Sequence, residues 1–281
     1  MCARRGRSGS GTDDPGDIPE RARARHAERI ERAFAAQAAA FEDPRFNRPF
    51  ATDMEWLFAA LELGPDDLVL DVATGTGQAA RALADRARAV IGIDATTAML
   101  EAGRAEAEAH RRRNIVFQRG DALSLPFLDR SFDVVVCRFA AHHFEDPRRL
   151  LAGMARCLRA HGRLVLADMI AAPERALARE QDRLERLRDP SHVRMLTADE
   201  LVALVAGAGL AVLHTTSRER ERPLEPWLTQ AGADATAVGE IRARLRDELA
   251  GGPASGFAPR QRDGELHFRQ RFAAVTARAP G

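Results

Sequence analysis

The sequence contains no lysine and no tyrosine, so all 42 of its basic residues are arginine. No lysine amine is available to form a Schiff base, and no tyrosine phenol is available as a general acid or base. Pyridoxal phosphate enzymes, P-loop nucleotide hydrolases and protein kinases each depend on a lysine, which excludes these three classes. Any general base in this chain must therefore be a histidine or a carboxylate.

Cysteines and long apolar runs are also scarce. Cys2, Cys137 and Cys157 are too few and too widely spaced for a disulfide framework or a zinc site, which indicates a reducing compartment and no metal. The longest apolar stretch, Leu201–Leu213, is too short to cross a bilayer and contains two glycines. Residues 1–19 lack the apolar segment of a signal peptide. We therefore predict a cytoplasmic protein without a membrane span.

The chain also lacks an excess of charge of one sign, because its 42 basic and 41 acidic residues leave a formal net charge of +1. A dedicated nucleic-acid-binding protein carries a strong basic excess, so we predict no nucleic-acid partner. The run Arg218–Arg222 alternates arginine with glutamate, which indicates a solvated surface segment rather than a binding patch. With 45% hydrophobic residues, the 281-residue chain has enough apolar side chains to form a folded domain.

The first part of the chain has helical periodicity. Residues 1–19 are polar and we predict a disordered tail there. Apolar residues then recur about every 3.6 residues over Glu20–Phe41, and again near Asp53–Leu63. We predict that residues 20–65 form a helical lid in front of the domain that follows.

From residue 66 to residue 281, short apolar runs alternate with helical stretches. The predicted strands cover 68–72, 89–93, 115–118, 132–137, 163–167, 210–215 and 266–275. The predicted helices cover 78–87, 96–110 and 148–159, the last of them capped by Gly162, and a capping box at Thr197 begins another helix. Such alternation is typical of a parallel sheet with helices on both faces, so we predict an α/β, three-layer Rossmann-like sandwich.

The clearest motif runs from Val69 to Gly77 and reads V-L-D-V-A-T-G-T-G. A buried strand leads into a glycine turn and then into a helix, whose N-terminus supplies amide donors to a ligand. Asp94 ends the next strand, at the distance where an acid usually accepts from ribose hydroxyls. The turn and the acid together indicate an adenosine-type ligand, although a tight structural turn without a ligand would use the same glycines.

The positions of the other acids indicate which adenosine-type ligand fits the site. Gly75–Ala80 is close to a dinucleotide fingerprint, which keeps an NAD-linked dehydrogenase as an alternative. However, Asp71 at the strand end would repel a pyrophosphate and could instead anchor an ammonium group. Asp121 adds a further acid after the third strand. A ligand with a cationic end, a ribose and an adenine amine fits all three acids, and S-adenosylmethionine is such a ligand.

Four motifs in this order resemble those of the class I S-adenosylmethionine-dependent methyltransferases. They lie at 69–77, 90–100, 120–138 and 158–168, within the closely matching region 53–168. The chain looks most like the branch that includes ubiquinone and menaquinone biosynthesis enzymes. The resemblance implies a seven-stranded, mostly parallel sheet whose last strand is antiparallel and inserted beside the sixth. It also implies that residues 66–281 form the methyltransferase domain, with an acceptor-side insertion at about 171–196.

The resemblance implies a role for each motif residue. The methionine end of S-adenosylmethionine would be lined by Asp71, Ala73, Gly75 and Gly77. The ribose hydroxyls would bind Asp94, flanked by Ala95 and Met99. The adenine amine would donate to Asp121, beside the backbone amide of Ala122, and Arg138 would contribute backbone atoms near the sulfonium.

The acceptor side is less marked in the sequence. His143 follows the fourth strand and His192 lies in the insertion, so both are candidates for pocket residues and for a general base. Each could instead serve only the core or brace a loop. An apolar acceptor wall is predicted from Phe41, Phe46, Phe50, Phe139, Met169 and Trp227, while Phe34 and Phe58 are assigned to the core.

These patterns predict an enzyme that methylates a hydrophobic small molecule, such as a quinone precursor or a secondary metabolite, by in-line displacement. Two alternatives keep the same cofactor site. One is an enzyme that catalyses a different reaction, for example a cyclisation, and the other is a regulator that binds S-adenosylmethionine without turnover. The acceptor atom and the oligomeric state stay open.

Overall fold

The computed structural model of the protein describes residues 20–43 and 54–281. The predicted tail at 1–19, the part of the predicted lid at 44–53, and the wall residues Phe46 and Phe50 lie outside the described residues. Within the described ranges, no helix is both long enough and apolar enough to cross a membrane.

The described strands form one mixed sheet. Their bounds are β1 Leu68–Val72, β2 Ala89–Asp94, β3 Ile115–Arg119, β4 Phe132–Arg138, β5 Leu158–Ile170, β6 Ala211–Pro223, β7 Arg260–Arg262 and β8 Glu265–Arg278. The strand order is β3-β2-β1-β4-β5-β8-β6, with β7 paired to β8. The first five strands are parallel, whereas β8 is antiparallel to both β5 and β6. The predicted topology is confirmed, with the short strand β7 added.

Helices cover both faces of this sheet. Their bounds are α1 Glu20–Phe41, α2 Met54–Phe58, α3 Gln78–Ala84, α4 Thr97–Ala109, α5 Pro147–Cys157, α6 Arg175–Arg188, α7 Ala198–Gly207, α8 Leu224–Gln230 and α9 Ala235–Leu249. In β4, Val135 and Cys137 pack against α5 and α7, while Val134 and Val136 pack against α2 and α3. Side chains alternate between the faces of a strand, so a continuous apolar run is buried on both sides and makes three layers.

Helix α5 ends earlier than its sequence indicates. The predicted helix reached residue 159 with a cap at Gly162, but the observed helix ends at Cys157 and β5 begins at Leu158. Leu158 is buried and pairs with Phe132 on β4, so tertiary pairing overrides the local helical pattern. The positive φ of 59° falls on His161, within the strand, rather than on a glycine cap.

The segment between β6 and β8 contains structure that the strand prediction passed over. Asp234 caps α9 by accepting from the Ala237 amide at 2.8 Å, and α9 buries Ile241 and Leu245 four residues apart. A tight hairpin at Asp263-Gly264, both with positive φ, joins β7 to β8. Aspartate followed by glycine is a strong hairpin signal, so both features were readable from the sequence.

Strand β6 is longer than predicted and includes the whole Arg218–Arg222 run, paired with β8. Residues 218–221 are exposed or partly exposed, as a solvated segment should be. Arg222 differs, since it is only 6% exposed. The prediction of a purely solvated run is therefore wrong at its last residue, because the end of β6 is covered by α8.

Candidate functional site

A cavity of about 740 Å³ lies at the carboxyl ends of the parallel strands. Its wall takes residues from the loops after β1, β2, β3 and β4, from the end of β5, and from helix α1. Open α/β sheets bind ligands at this edge, and a cavity of this volume is in the range of small-molecule sites.

The glycine turn after β1 forms one side of the cavity. Ala73, Gly75 and Gly77 have positive φ angles of 54°, 56° and 77°. Ala73 and Gly75 line the cavity, but Gly77 is not among its lining residues in the described part of the chain. A Cβ atom on Gly77 would lie 2.5 Å from the Phe117 ring. Gly77 is therefore required for the turn and for close packing under α3, and its predicted place beside the methionine end of the cofactor stays a prediction.

Asp71 lies at the end of β1 and is 1% exposed. One carboxylate oxygen, Oδ2, accepts hydrogen bonds from the Thr74 hydroxyl at 2.5 Å and from the Ala80 amide at 3.0 Å. Burial raises the pKa of Asp71 to about 6, even though those hydrogen bonds and the charge of Arg138 act in the opposite direction. The carboxylate is thus held in a place where a cation would stabilise its charged form.

Asp94 and Asp121 line the same cavity as Asp71. Asp94 accepts from the backbone amides of Gly75 and Thr96, both at 2.8 Å, and so ties the glycine turn to the end of β2. Burial raises the pKa of Asp94 above its ordinary value. Asp121 is exposed at the cavity edge and accepts from the Leu123 amide at 2.8 Å. The three acids lie at or just beyond the carboxyl ends of three adjacent strands, as their sequence positions predict.

The remaining motif residues also lie on the wall: Ala95, Met99, Ala122 and Arg138. The side chain of Arg138 donates to Gln78 Oε1 at 2.7 Å. Burial lowers the pKa of Arg138 to about 10, although the nearby charge of Asp71 favours the protonated form. Arg138 thus balances Asp71 with its side chain, beyond the backbone role that the motif implied.

Helix α1 contributes Ile30, Phe34, Gln37 and Phe41 to the cavity wall. The Phe34 ring lies 5.0 Å from that of His143, whereas the Phe41 carbonyl accepts from Gln78 beside the glycine turn, at 3.1 Å. The end of α1 is fixed by Glu42, which accepts from the Thr76 hydroxyl and pairs with Arg81 at 2.9 Å. Gln37 is 6% exposed, and its Nε2 has no hydrogen-bond partner within the described ranges. That a segment 20–65 acts as a lid stays a prediction.

Two neighbouring histidines form the base of the cavity. His142 and His143 lie in a short 3-10 turn, Ala141–His143, directly after β4. His142 Nδ1 is 2.6 Å from Asp168 Oδ1, and its backbone amide donates to Asp168 Oδ2 at 2.9 Å. Burial lowers the pKa of His142, but the Asp168 carboxylate outweighs it and the net shift is upward. Burial and the neighbouring charge of His142 hold the pKa of His143 well below its usual value.

His192 is not part of the cavity wall among the described residues. It is 4% exposed, and its Nε2 lies 2.9 Å from Asp182 Oδ1, behind the two cavity histidines. Its ring centroid is 5.5 Å from that of His142. The expectation that His192 is a pocket residue is therefore corrected, since its ring pairs with Asp182 in the middle of α6.

The apolar part of the wall only partly matches the expected set. Phe41, Phe139 and Met169 line the cavity, together with Phe34, which had been assigned to the core, and Phe272 from β8. Trp227 does not, since its ring packs 4.6 Å from Phe268 and 5.8 Å from Phe257 in a separate core under α8 and α9.

Charged and amide side chains complete the cavity: Arg188, Asp189, Arg222, Gln230 and Gln270. Arg222 donates to Gln270 Oε1 at 2.7 Å and to Gln230 Oε1 at 3.3 Å. Arg188 Nε donates to Glu185 Oε2 at 2.9 Å. Apart from Arg222, which belongs to the run predicted to be solvated, no sequence motif marks these residues, because they come from elements far apart in the chain.

Asp168 was missed as well, although a signal for it was present. It is a charged residue inside the apolar strand β5, 2% exposed, and it faces the histidines after β4. Buried carboxylates need a partner, so an acid within such a strand indicates a nearby donor. Among the described residues, no group of three or more histidines, cysteines and acids is placed to hold a metal ion.

Comparison with known proteins identifies what this arrangement is similar to. Residues 70–166 match the methyltransferase domain family. The chain is 35% identical over 193 residues to the uncharacterized methyltransferase YcgJ of Bacillus subtilis, covering 69% of this chain and 76% of that protein. The crystal structure of YcgJ superposes with a TM-score of 0.74 at 30% identity, covering 82% of this chain and 99% of that one.

A second relative is similar over a shorter region. The demethylmenaquinone methyltransferase of Renibacterium salmoninarum is 39% identical over 104 residues, which cover 37% of this chain and 42% of that protein. This likeness therefore leaves more than half of each chain unmatched.

Proposed function

Because the chain belongs to the class I S-adenosylmethionine-dependent methyltransferases, we propose that it methylates an apolar small molecule bound beside His142. The observation that supports the proposal most strongly is that one cavity is lined both by residues suited to bind a cofactor and by a residue suited to act as a base. Its wall contains the turn with its acids, a histidine paired with a buried carboxylate, and several phenylalanine rings.

The residues on the turn side fit S-adenosylmethionine. A carboxylate whose pKa is raised to about 6 by burial, as in Asp71, gains from a neighbouring ammonium group. The unpartnered amide of Gln37 offers a buried donor to a ligand oxygen. We assign Asp71 to the ammonium group, Asp94 to the ribose hydroxyls and Asp121 to the adenine amine, as the motif pattern implies. Asp94 retains lone pairs beyond its two amide bonds.

When bound, S-adenosylmethionine supplies a methyl group made electrophilic by a positively charged sulfur. The protein then has to orient the acceptor, exclude water and, where the acceptor must lose a proton, remove it. The cavity has an apolar lining that favours an apolar acceptor and keeps water out, made by Phe34 and Phe41 on α1 together with Phe139 and Phe272.

His142 is the residue suited to remove that proton. Asp168 Oδ1 accepts at Nδ1, so in the neutral ring Nδ1 carries the hydrogen and Nε2 keeps the lone pair that takes up a proton. Asp168 also accepts from the backbone amides of His142 and Met169, at 2.9 and 2.8 Å, which fixes its own orientation. The carboxylate then stabilises the imidazolium once the proton has moved. Asp168 acts through His142 and is a positioning residue.

The acceptor class follows from the lining and is supported by the relatives. An apolar cavity suits an aromatic or quinone-like ring, and one relative is a demethylmenaquinone methyltransferase. We propose a ring compound with an acidic O–H or C–H bond as the methyl acceptor.

The test is a methyl-transfer assay with trideuteromethyl S-adenosylmethionine and a panel of phenols and hydroquinones, read by mass spectrometry. His142→Gln is expected to lower kcat about 100-fold or more without changing the affinity for S-adenosylhomocysteine. His110→Gln is the matched control, because His110 is exposed directly after α4, near Glu106. Full activity in His142→Gln would rule out the base, and the absence of labelled product from any acceptor would rule out the function.

A further inference from the structure

One side chain of the cavity wall buries a hydrogen-bond donor that the protein itself leaves unused. Gln37 on α1 lines the cavity and is 6% exposed. Its Nε2 atom has no hydrogen-bond partner within the described ranges. Burying an amide without a partner costs free energy, because the amide loses its bonds to water and gains none in exchange. A ligand in the cavity can supply the missing partner.

The helix face around Gln37 is apolar. Among the described residues, α1 lines the cavity with Ile30, Phe34, Gln37 and Phe41, which recur at helical spacing on one face. A leucine or a methionine at position 37 would continue this apolar face without burying an unpaired donor. The packing of α1 therefore does not account for the amide.

The position of Gln37 along α1 places it between the two ends of the cavity. The Phe34 ring lies 5.0 Å from the ring of His143, and the Phe41 carbonyl accepts from Gln78 Nε2 at 3.1 Å. With a rise of about 1.5 Å per residue, Gln37 lies about 4.5 Å along the helix axis from Phe34 and about 6 Å from Phe41. Gln37 is thus between the histidines and the glycine turn.

Both the cofactor and the acceptor carry oxygens, but the middle of the cavity suits an oxygen of the acceptor. Asp71 and Asp94 are assigned to the ammonium group and the ribose of S-adenosylmethionine, so we expect the cofactor oxygens to lie toward the turn. The sulfonium has a positive charge and no oxygen, so an N–H donor gains nothing from it. The acceptor has to reach the methyl group between the turn and His142.

We propose that Gln37 Nε2 donates a hydrogen bond to a carbonyl oxygen of the methyl acceptor, and that this oxygen is conjugated with the atom that is methylated. The inference rests on the proposed function and narrows its acceptor class to ring compounds that combine a carbonyl with an acidic O–H or C–H bond. A carbonyl oxygen accepts hydrogen bonds and donates none, so it matches an amide N–H that lacks an acceptor.

The same bond assists the proton transfer to His142. His142 Nε2 takes the proton of the acidic O–H or C–H bond. The electron pair of that bond stays on the acceptor, where conjugation spreads it onto the carbonyl oxygen. A donor already in place at that oxygen stabilises the developing negative charge, and more strongly between apolar walls than in water. Gln37 and His142 therefore act on two ends of one conjugated system.

Binding of matched ligands tests the donor. The probes are hydroxytetralones with the hydroxyl at each aromatic position, and each is paired with the tetrahydronaphthol in which a methylene replaces the carbonyl. They are titrated calorimetrically into the protein saturated with S-adenosylhomocysteine. At least one hydroxytetralone is expected to bind about fivefold or more tightly than its partner, which is the gain from a hydrogen bond made in an apolar site.

The variants assign the preference to Gln37. Gln37→Met keeps the length of the side chain and removes its donor, and it is expected to reduce the affinity ratio to about twofold or less. Comparing the ratio between wild type and variant removes the effect of the carbonyl on the acidity of the hydroxyl. The affinity for S-adenosylhomocysteine should stay within about twofold, because its oxygens lie elsewhere. Gln261→Met, at an exposed residue of β7, is the matched control. If Gln37→Met does not fold, Gln37→Leu decides in its place.

Stability separates a ligand-binding amide from a structural one. Gln37→Met is expected to unfold at the same urea concentration as the wild type or at a higher one, because an apolar group replaces an unpartnered buried amide. A lower midpoint together with an unchanged carbonyl preference would assign Gln37 to packing alone and overturn the proposal.

The outcomes separate this inference from the proposed function. Equal or undetectable binding within every pair, or a carbonyl preference that survives in Gln37→Met, overturns the donor. A loss of S-adenosylhomocysteine affinity beyond about twofold in Gln37→Met also overturns it, because the amide then serves the cofactor carboxylate. Methyl transfer to acceptors without any carbonyl preference overturns the donor and leaves the function standing. A preference that depends on Gln37, without methyl transfer to any acceptor, supports the donor and removes the function.

Discussion

Replacing Asp71 by asparagine is expected to stabilise the empty protein and to weaken its binding of S-adenosylmethionine. Asp71 is fully buried, and both of its hydrogen bonds, from Thr74 and Ala80, end on the same carboxylate oxygen. An asparagine amide oxygen in that position accepts both bonds. The substitution therefore removes the charge and leaves the local packing and hydrogen bonds in place.

The size of the stability effect follows from the pKa. Burial raises the pKa of Asp71 from 3.8 to about 6. Between these values the folded chain holds a proton that the unfolded chain has released, so stability falls as the pH rises through this window. At about 1.4 kcal/mol per pH unit, the charged carboxylate costs on the order of 3 kcal/mol at neutral pH. Asp71→Asn avoids that cost and lacks this part of the pH dependence.

The effect on binding has the opposite sign. With a pKa of about 6, Asp71 is roughly nine-tenths ionised at pH 7 and roughly one-tenth ionised at pH 5. An α-amino group has a pKa of about 7.7–8.0, so the ammonium of the ligand stays protonated across this range. If the ionised carboxylate holds that ammonium, the Kd rises about tenfold from pH 7 to pH 5.

Two measurements check the reasoning. Calorimetric titration with S-adenosylhomocysteine at pH 5, 6 and 7 gives the Kd, and urea unfolding of the empty protein gives the stability. Asp129→Asn, at an exposed acid, serves as the control. A wild-type Kd that does not change between pH 7 and pH 5, or an Asp71→Asn variant that binds as tightly as the wild type at pH 7, would refute the assignment of Asp71 to the ammonium group.

Further predictions concern the base, the turn and the covering helix. In the pH profile of kcat/KM, the apparent pKa of the acid limb should lie above 6.5, because His142 must lose its proton before it can act as a base. Asp168→Asn should lower both this apparent pKa and the maximal rate, and an unchanged apparent pKa contradicts the assignment. Gly77→Ala should cost about 2 kcal/mol or more in urea unfolding, because of its φ of 77° and the Phe117 ring, and wild-type stability would show that the turn relaxes. Glu42→Gln should raise the KM for S-adenosylmethionine up to about fivefold at constant kcat, since a partly exposed ion pair contributes about 1 kcal/mol at most, and a loss in kcat alone would refute this.

The cofactor side was predictable because its geometry is local. Asp71, Asp94 and Asp121 each follow a short apolar run, and parallel strands bring their carboxyl ends to one edge of the sheet. Recognising the parallel strands in the sequence was therefore enough to place the three acids around one cavity. Gly77 is the exception, since the Phe117 ring, two strands away, leaves no room for a side chain at this position.

The acceptor side depends on pairings that the sequence does not state. His142 and His143 are adjacent, and only the turn after β4 and the position of Asp168 on β5 decide which of them is held by a carboxylate. The sequence position of His192 made it an equally good candidate for a pocket residue, but in the folded insertion its ring pairs with Asp182. Arg222 ends an alternating charged run whose other members face outward, so its burial depends on α8 packing over the strand.

Because β8 lies between β5 and β6, residues that are far apart in the chain line the same cavity and are synthesised at different times. The turn and its acids come from residues 71–121, within the region that matches the family model, whereas Gln270 and Phe272 on β8 are synthesised much later. A nascent chain can therefore complete its cofactor loops before the β8 part of the acceptor wall has been synthesised. The same separation allows mutations in β8 to change the acceptor wall without changing the sequence of the cofactor loops.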